Sequence, residues 1–153
     1  MLAPTRDFLC CRLGEAEYGI EIDAIVETRN WESPTTLADM PAHVKGVFNL
    51  RGRVVPIVDL RQRLRVSSAS DDPTSAMVMV SFGDRTFGLV VDAISDVVSL
   101  RAEQILPAPA YSAALRAEHV MGLGTIGDRM VILMAIEALL VTDGLTQAPA
   151  HHA

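Results

Sequence analysis

The sequence contains two copies of one pattern, and this duplication constrains the fold more than any other feature. Residues 8–25, FLCCRLGEAEYGIEIDAI, recur 69 positions later as MVMVSFGDRTFGLVVDAI over residues 77–94. A second block, residues 46–60, recurs in the same order as residues 122–136. Two blocks repeated in the same order indicate one structural unit present twice in the chain. The sequence therefore predicts two similar halves with a seam between them, and seams are common places for binding surfaces.

Each half reads as short strands separated by turns. Residues 8–13 and 18–22 are apolar stretches that flank a short polar turn, which predicts a hairpin. Residues 54–58 and 130–134 are almost continuously apolar, as expected of strands buried on both faces. Pro56 has no backbone N–H to donate, so its strand is expected to lie at an edge or to bulge there.

This pattern predicts an all-β protein with a few short helices, folded as two small β-barrels that pack together. Residues 1–70 are expected to form the first barrel, with an N-terminal strand that can cross to the second. Residues 71–145 are expected to form the second barrel, after a linker at residues 67–76, and residues 146–153 a disordered tail. The short helices are predicted at residues 37–44, 59–64, 113–119 and 135–140, with Asp59 as an N-cap.

Charge and hydropathy argue against two classes of partner. The net charge is −6 and only 5% of the residues are aromatic, which disfavours nucleic acid, whose phosphates attract clustered Lys and Arg. The longest apolar stretch, residues 130–141, is too short and too interrupted to cross a bilayer, so no direct membrane insertion is expected. The first residues lack the apolar segment of a signal peptide, and we expect a cytoplasmic location.

The residues that usually bind metals or cofactors are scattered. Cys10 and Cys11 are adjacent in a predicted strand, so their side chains should point to opposite faces. The four histidines form no cluster with ligand-like spacing, and no CxxC pair is present. We therefore predict no metal and no cofactor.

One motif imitates a nucleotide site. Residues 122–127 spell GxGxxG, which binds dinucleotides where a strand precedes it and a helix begins on it. Here the predicted strand follows the motif, so we assign these glycines to turns. There is also no GxSxG elbow, and the paired carboxylates lie in predicted exposed turns. No catalytic residue is predicted, and the chain is not expected to be an enzyme.

A basic turn is the most distinctive local feature. Arg51 and Arg53 flank Gly52 just before a predicted buried strand. The simplest interpretation is a turn with solvated arginines. The alternative is that Arg51 pairs with a carboxylate, for which Glu27 is the best candidate, and presents a fixed surface beside the seam. The second copy has Gly127 at the position of Arg51, so the two halves differ at this loop.

These segments resemble the CheW family of bacterial chemotaxis adaptors along nearly the whole chain. The resemblance implies two five-stranded SH3-like β-barrels about a shared core. Thr28 and Asn30 depart from it, since an apolar residue and a glycine are more usual there. The matching segments are LGEAEYGIEI (13–22), VETR (26–29), GVFNLRGRVVPIVDLR (46–61), FGLVVDAISDVVSL (87–100), AEQILPAP (102–109) and GLGTIGDRMVIL (122–133).

The resemblance also implies a function without chemistry. The protein would couple the cytoplasmic tips of transmembrane chemoreceptors, which are helical hairpins, to the regulatory domain of the histidine kinase CheA. It would work at membrane-associated arrays, with further CheW copies joining it in rings. The receptor-binding groove implied for this chain comprises Ile25, Glu27, Gly46, Arg51 and Gly52.

Two other interpretations stay open at this point. A CheW-like scaffold could serve an array outside chemotaxis, in pilus motility or surface sensing, and the residues do not separate these pathways. A small β-barrel that binds a ligand or nucleic acid is the other, but the chain lacks the basic aromatic face that such binding needs.

Overall fold

The computed structural model describes residues 4–36, 38–39, 44–65, 75–107 and 117–142 of the 153-residue chain. Within these ranges the backbone forms eleven strands, two short α-helices and three 3₁₀ turns, the last at Ile22–Ala24, Ala102–Gln104 and Ala117–His119. The strands are β1 (Thr5–Leu13), β2 (Ala16–Glu21), β3 (Ile25–Asn30), β4 (Val44–Leu50), β5 (Arg53–Asp59), β6 (Ala76–Phe82), β7 (Arg85–Val91), β8 (Ala93–Arg101), β9 (Ile105–Leu106), β10 (Val120–Ile126) and β11 (Arg129–Met134). The helices are α1 (Leu60–Leu64) and α2 (Ile136–Thr142).

The strands form two sheets, with the orders β8-β1-β2-β11-β10-β9 and β3-β6-β7-β5-β4. This confirms the predicted all-β class with two β subdomains and short helices. The structure corrects the expected pair of closed five-stranded barrels in two details. The first sheet gains the two-residue strand β9, whose counterpart in the second sheet is a single bridge between Thr35 and Val47. Neither sheet closes by backbone pairing within the described residues; β3 and β4 meet through side chains instead, with the Arg29 guanidinium 6.0 Å from the Phe48 ring centre.

The two sheets do not follow the two halves of the chain. The hairpin β1–β2 pairs with strands of the second half, through β8 and β11, and the hairpin β6–β7 pairs with β3 and β5 of the first half. Each half therefore contributes its hairpin to the other half's sheet. A division into residues 1–70 and 71–145 does not coincide with the sheets, and residues 146–153 lie outside the described part of the chain.

The exchanged hairpins are buried on both faces. Along β1, Phe8 and Cys10 pack inside the first sheet, whereas Leu9 and Cys11 join the core between the sheets. The same alternation along β6 places Met77 inside the second sheet. Two-sided burial explains the uninterrupted apolar runs of these strands, and it confirms that the two cysteines point to opposite faces.

Two predicted helices are present and two fall mostly outside the described residues. α1 begins after Asp59, whose carboxylate accepts a hydrogen bond of 3.0 Å from the Arg61 backbone N–H, so the predicted N-cap is confirmed. α2 corresponds to the predicted final helix. Of the helix predicted at residues 37–44, the described end Val44 begins β4, and residues 117–119 of the other form a 3₁₀ turn.

A buried ionic network joins the two halves at the corner between β7 and β8. The Asp92 carboxylate accepts a 2.8 Å hydrogen bond from the Gly14 backbone N–H and a 3.2 Å hydrogen bond from the Arg61 guanidinium. Arg61 is almost fully buried, and Asp59 binds it through both carboxylate oxygens at 3.0 Å. Because a buried guanidinium requires charged partners, this network fixes the corner against both the first hairpin and α1.

We expect Asp92→Asn to destabilise the fold by about 1–3 kcal/mol. One amide oxygen cannot replace a carboxylate that accepts from both Gly14 and Arg61, and the amide N–H₂ would face a second donor. Urea unfolding of the variant measures the loss, with Asp84→Asn, in the exposed turn of the other hairpin, as the matched control. Equal unfolding free energies for both variants would show that this corner does not hold the halves together.

A second ionic cluster links three strands at one end of the first sheet. Arg129 on β11 donates to Glu17 on β2 at 2.7 and 3.0 Å, and to Asp96 on β8 at 2.6 and 3.0 Å. These hydrogen bonds from Arg129 lower the pKa of Glu17 and of Asp96 below their ordinary values of 4.5 and 3.8, and they raise that of Arg129. The cluster therefore ties β8 to β11 across the two strands that separate them.

The cluster predicts a specific dependence of stability on pH. Carboxylates with a lowered folded-state pKa stabilise the fold above their unfolded-state pKa, and this contribution is lost as pH falls through the folded-state value. We expect Arg129→Gln to be less stable than the wild type at pH 7, with a difference that shrinks below about pH 4.5. Urea unfolding of both proteins between pH 7 and pH 3 measures it. A difference that stays constant across this range would contradict the assignment.

Candidate functional site

Arg51 occupies a tight turn in a backbone conformation that residues other than glycine rarely adopt. The turn joins β4 to β5 through two residues, Arg51 with φ +54° and Gly52 with φ +84°, between the paired residues Leu50 and Arg53. Positive φ at both central residues is the geometry of a type I′ hairpin turn. The Asn49 side chain accepts a 2.8 Å hydrogen bond from the Gly52 N–H and holds the turn. A left-handed arginine costs about 1 kcal/mol, and such strain is concentrated at functional sites.

Glu27 fixes the arginine side chain. The Arg51 guanidinium donates a 2.8 Å hydrogen bond to the Glu27 carboxylate, which confirms the predicted pair. Glu27 is 25% exposed and Arg51 is 71% exposed, so the carboxylate anchors a guanidinium whose other donors face solvent. Arg29, one strand repeat from Glu27 on the same face of β3, lies 3.7 Å from the same carboxylate. Two arginines therefore share one glutamate at the end of the second sheet.

A polar groove runs between the two sheets beside this pair. Its volume is about 870 Å³, with β3 on one side and the start of β8, from the other sheet, on the opposite side. Ser75 contributes to the groove and accepts a 3.0 Å hydrogen bond from buried Arg61, which links the groove to the ionic network at the corner. The lining residues are Glu27, Thr28, Arg29, Asn30, Glu32, Ser75, Ala76, Ala93 and Ile94.

The structure brings three of the five predicted site residues together. Glu27 lines the groove, Arg51 is bonded to it, and Gly52 completes the turn that presents Arg51. Ile25 lies at the start of β3 and packs against the core between the sheets. Gly46 lies in β4, where an added Cβ would overlap the Thr35 carbonyl oxygen, so its place is structural: it lets β4 approach Thr35.

Sequence reasoning missed several residues of this site. Arg29 carries an alternation signal, since it is two positions from Glu27 on a predicted strand. Asn49 carries a weaker signal, as a short acceptor placed before a glycine turn. Ser75 carries none, because only the folded chain brings it next to Arg61.

Neither cysteine is prepared for covalent chemistry. Burial raises the pKa of Cys10 to about 11 and that of Cys11 to about 12, so both thiols are protonated at neutral pH. No cluster of three potential metal ligands occurs among the described residues. The GxGxxG residues lie within β10 and the turn after it, so the strand predicted to follow the motif is present as β11. No helix in the described ranges has the length and apolarity needed to span a bilayer.

Comparison with known proteins gives a consistent result. The family model described as "CheW-like domain" matches residues 7–143. "Chemotaxis protein CheW" of Klebsiella aerogenes is 45% identical over 138 residues, which cover 90% of this chain and 83% of that protein. "Probable chemotaxis protein CheW" of Rhizobium etli is 34% identical over 134 residues, covering 88% and 86%.

A solved structure agrees with the sequence relatives. The scaffolding protein TtCheW from Thermoanaerobacter tengcongensis superposes with a TM-score of 0.78 at 26% identity, and the match covers 85% of this chain and 88% of that one. A family model that spans almost all of the described strands, a close relative and a shared fold agree with one another. The chain belongs to the CheW family of chemotaxis proteins.

Proposed function

We propose that this protein is a non-catalytic adaptor that couples transmembrane chemoreceptors to the histidine kinase CheA, in the cytoplasm at membrane-associated arrays. The observation that carries the proposal is Arg51, a strained and exposed arginine that Glu27 anchors beside the inter-sheet groove. Strain is maintained where the geometry is used, and the fold itself would be served equally well by glycine at this position.

The groove suits one side of a helical hairpin from a receptor tip. Glu27 and Arg29 offer both charges, while Ala93 and Ile94 offer an apolar contact on the opposite side. A helix that presents an apolar stripe flanked by polar residues matches this combination. The exposed donors of Arg51 would supply orientation to a carboxylate or carbonyl of the receptor.

Signalling by such an adaptor requires no reaction. It requires contacts that differ between two receptor states, because a ligand bound equally by both states shifts no equilibrium. The kinase regulatory domain would bind away from the groove, and further copies of the adaptor would extend the array as rings. Arg51 and Glu27 are therefore expected to affect receptor binding more than kinase binding.

Arg51→Gly separates a structural role from a binding role. Glycine adopts positive φ without strain, so the free energy of unfolding should stay within about 1 kcal/mol of the wild type although the Glu27 pair is lost. Affinity for a receptor cytoplasmic fragment should fall about tenfold or more, because an arginine at an interface centre is a typical hot spot. Calorimetric titration gives the affinity and urea unfolding gives the fold control.

The partner readouts make the result decisive. Binding to the isolated CheA regulatory domain should be unchanged by Arg51→Gly, and Glu15→Gln, in the exposed turn between β1 and β2, should change neither affinity. Receptor binding equal to the wild type would remove Arg51 from the site. Binding of the kinase domain but of no chemoreceptor fragment would favour a CheW-like scaffold of an array outside chemotaxis.

A double-mutant cycle tests whether Glu27 acts through Arg51. We expect Glu27→Gln alone to weaken receptor binding, because it releases the Arg51 guanidinium from its fixed position. Combined with Arg51→Gly, its effect should be clearly less than additive, with a coupling of about 0.5–3 kcal/mol. Additive losses would mean that the two side chains contact the receptor independently.

A further inference from the structure

The two copies differ at a second position next to the basic turn. In the alignment of the halves, Arg53 corresponds to Arg129, and Thr86 corresponds to Glu17. In the first sheet, Glu17 accepts two hydrogen bonds from Arg129, and β2 pairs with β11 from Glu17 and Val131 onward. The second sheet has the arginine but a threonine in place of the carboxylate.

The corresponding strands of the second sheet separate earlier. β7 pairs with β5 only from Gly88 and Ile57 onward, two residues further from the turn than the matching pair in the first sheet. Pro56 stands where the first sheet has Ile132, and it has no N–H for pairing with β7. The prediction of an edge strand is wrong, because β5 lies between β7 and β4, but Pro56 itself pairs only with Val47 of β4 and not with β7. The parting strands leave a cleft of about 450 Å³, lined by Arg53, Val54, Val55, Pro56, Asp84, Arg85, Thr86 and Phe87.

Two side chains of this cleft are unusually free of contacts: one is an exposed apolar side chain, and the other is an arginine without a carboxylate partner. Val54 is 72% exposed, the largest exposure among the exposed large apolar residues of the described chain. Arg53 is exposed and forms no ion pair with any described carboxylate. In the first sheet, the carboxylates of Glu17 and Asp96 satisfy Arg129.

We propose that this cleft is a docking site for a short, extended, acidic segment of a partner protein. One carboxylate of the segment binds Arg53 as Glu17 binds Arg129, and an apolar neighbour covers Val54. Pro56 removes a backbone donor from the cleft, so recognition rests on the side chains. This inference goes beyond the receptor groove and does not depend on it, because the cleft lies between β5 and β7 whereas Glu27 lies on β3.

The contacts of Arg129 indicate which occupant the cleft would accept. The first sheet shows which chemistry satisfies an arginine at this position: a carboxylate on an extended strand running parallel to the arginine's own strand. A folded second copy cannot offer the segment with Glu17, because β2 is already paired on both sides, with β1 and β11. The cleft therefore fits an acidic segment that is free of its own sheet.

The probe is a capped peptide with the sequence GEAEYGIE, which copies residues 14–21 and includes the equivalent of Glu17. Titrated into the ¹⁵N-labelled full chain, it should shift the amide signals of residues 53–56 and 84–87. The peptide GEAQYGIE, with that glutamate changed to glutamine, should bind about fivefold more weakly or worse, as expected for loss of an exposed carboxylate–arginine pair. Raising the salt concentration should weaken the glutamate peptide more than the glutamine peptide.

Three variants locate the interaction. Arg53→Gln should weaken the glutamate peptide about fivefold and leave the glutamine peptide unaffected, whereas Arg53→Lys should retain part of the difference. Thr86→Glu should block the peptide, because the introduced carboxylate would bind Arg53 within the chain, and it should not lower stability. Arg101→Gln, an exposed arginine on the first sheet, is the matched control and should change nothing.

Four results would overturn the proposal. They are equal affinity for the two peptides, absence of binding at millimolar peptide, amide shifts centred on the Glu27 groove, and self-association of the chain that Arg53→Gln abolishes. The third would assign the peptide to the proposed receptor groove. The fourth would make a second copy the occupant. Because kinase and receptor fragments are not used, failure here leaves the adaptor proposal unaffected.

Discussion

The exchange of hairpins between the two halves is the constraint on which the rest of the structure depends. The hairpins β1–β2 and β6–β7 are buried on both faces. One face of each packs inside the sheet that the hairpin joins, and the other packs in the core between the two sheets. Neither half can keep its sheet if the other unfolds, because each sheet then loses the two interior strands that join one edge strand to the rest. The duplicated chain is therefore expected to unfold as one cooperative unit, and the sheets hold a fixed separation. A groove between sheets can serve as a binding site only if that separation is reproducible.

The corner network connects the junction of the halves to the groove. Asp92 joins the turn of the first hairpin to buried Arg61, and Arg61 in turn donates to Ser75 in the groove. The backbone carbonyl of Ser75 also accepts a 3.2 Å hydrogen bond from the Trp31 N–H, just beyond β3. The strand that carries Glu27 is thus connected through three hydrogen-bonded residues to the junction of the halves. A partner in the groove would contact elements whose positions are set by the buried core, which limits the entropy lost on binding.

Much of the fold and of the candidate site was predictable from the sequence, and the features that were not have physical reasons. The duplication, the strands, the Asp59 cap and the Arg51–Glu27 pair each left a local signal: a repeat, an apolar run, a capping residue, or a charge beside a glycine turn. A crossing of the N-terminal strand was allowed for, but the exchange of two whole hairpins left no signal, because a strand buried on both faces has the same pattern whichever sheet it joins. The extra strand β9 was missed because two residues carry no periodicity. Barrel closure was expected from strand content, but it depends on whether β3 and β4 meet by backbone or by side chains.

The divergence of the two copies explains how one fold can present two different surfaces. Glu27 and Asp96 occupy corresponding positions on β3 and β8, and each binds an arginine from the hairpin across its sheet. In the second half the arginine is Arg129, on the strand, where its guanidinium is shared between two carboxylates. In the first half it is Arg51, two positions earlier and in the turn, where the same kind of carboxylate leaves most donors exposed. A shift of two residues keeps a side chain on the same face of a strand but moves it from the body of the sheet to its tip. The first half thereby exposes a guanidinium whose counterpart in the second half is bound by two carboxylates, so the two halves differ at their surface without any change in the fold.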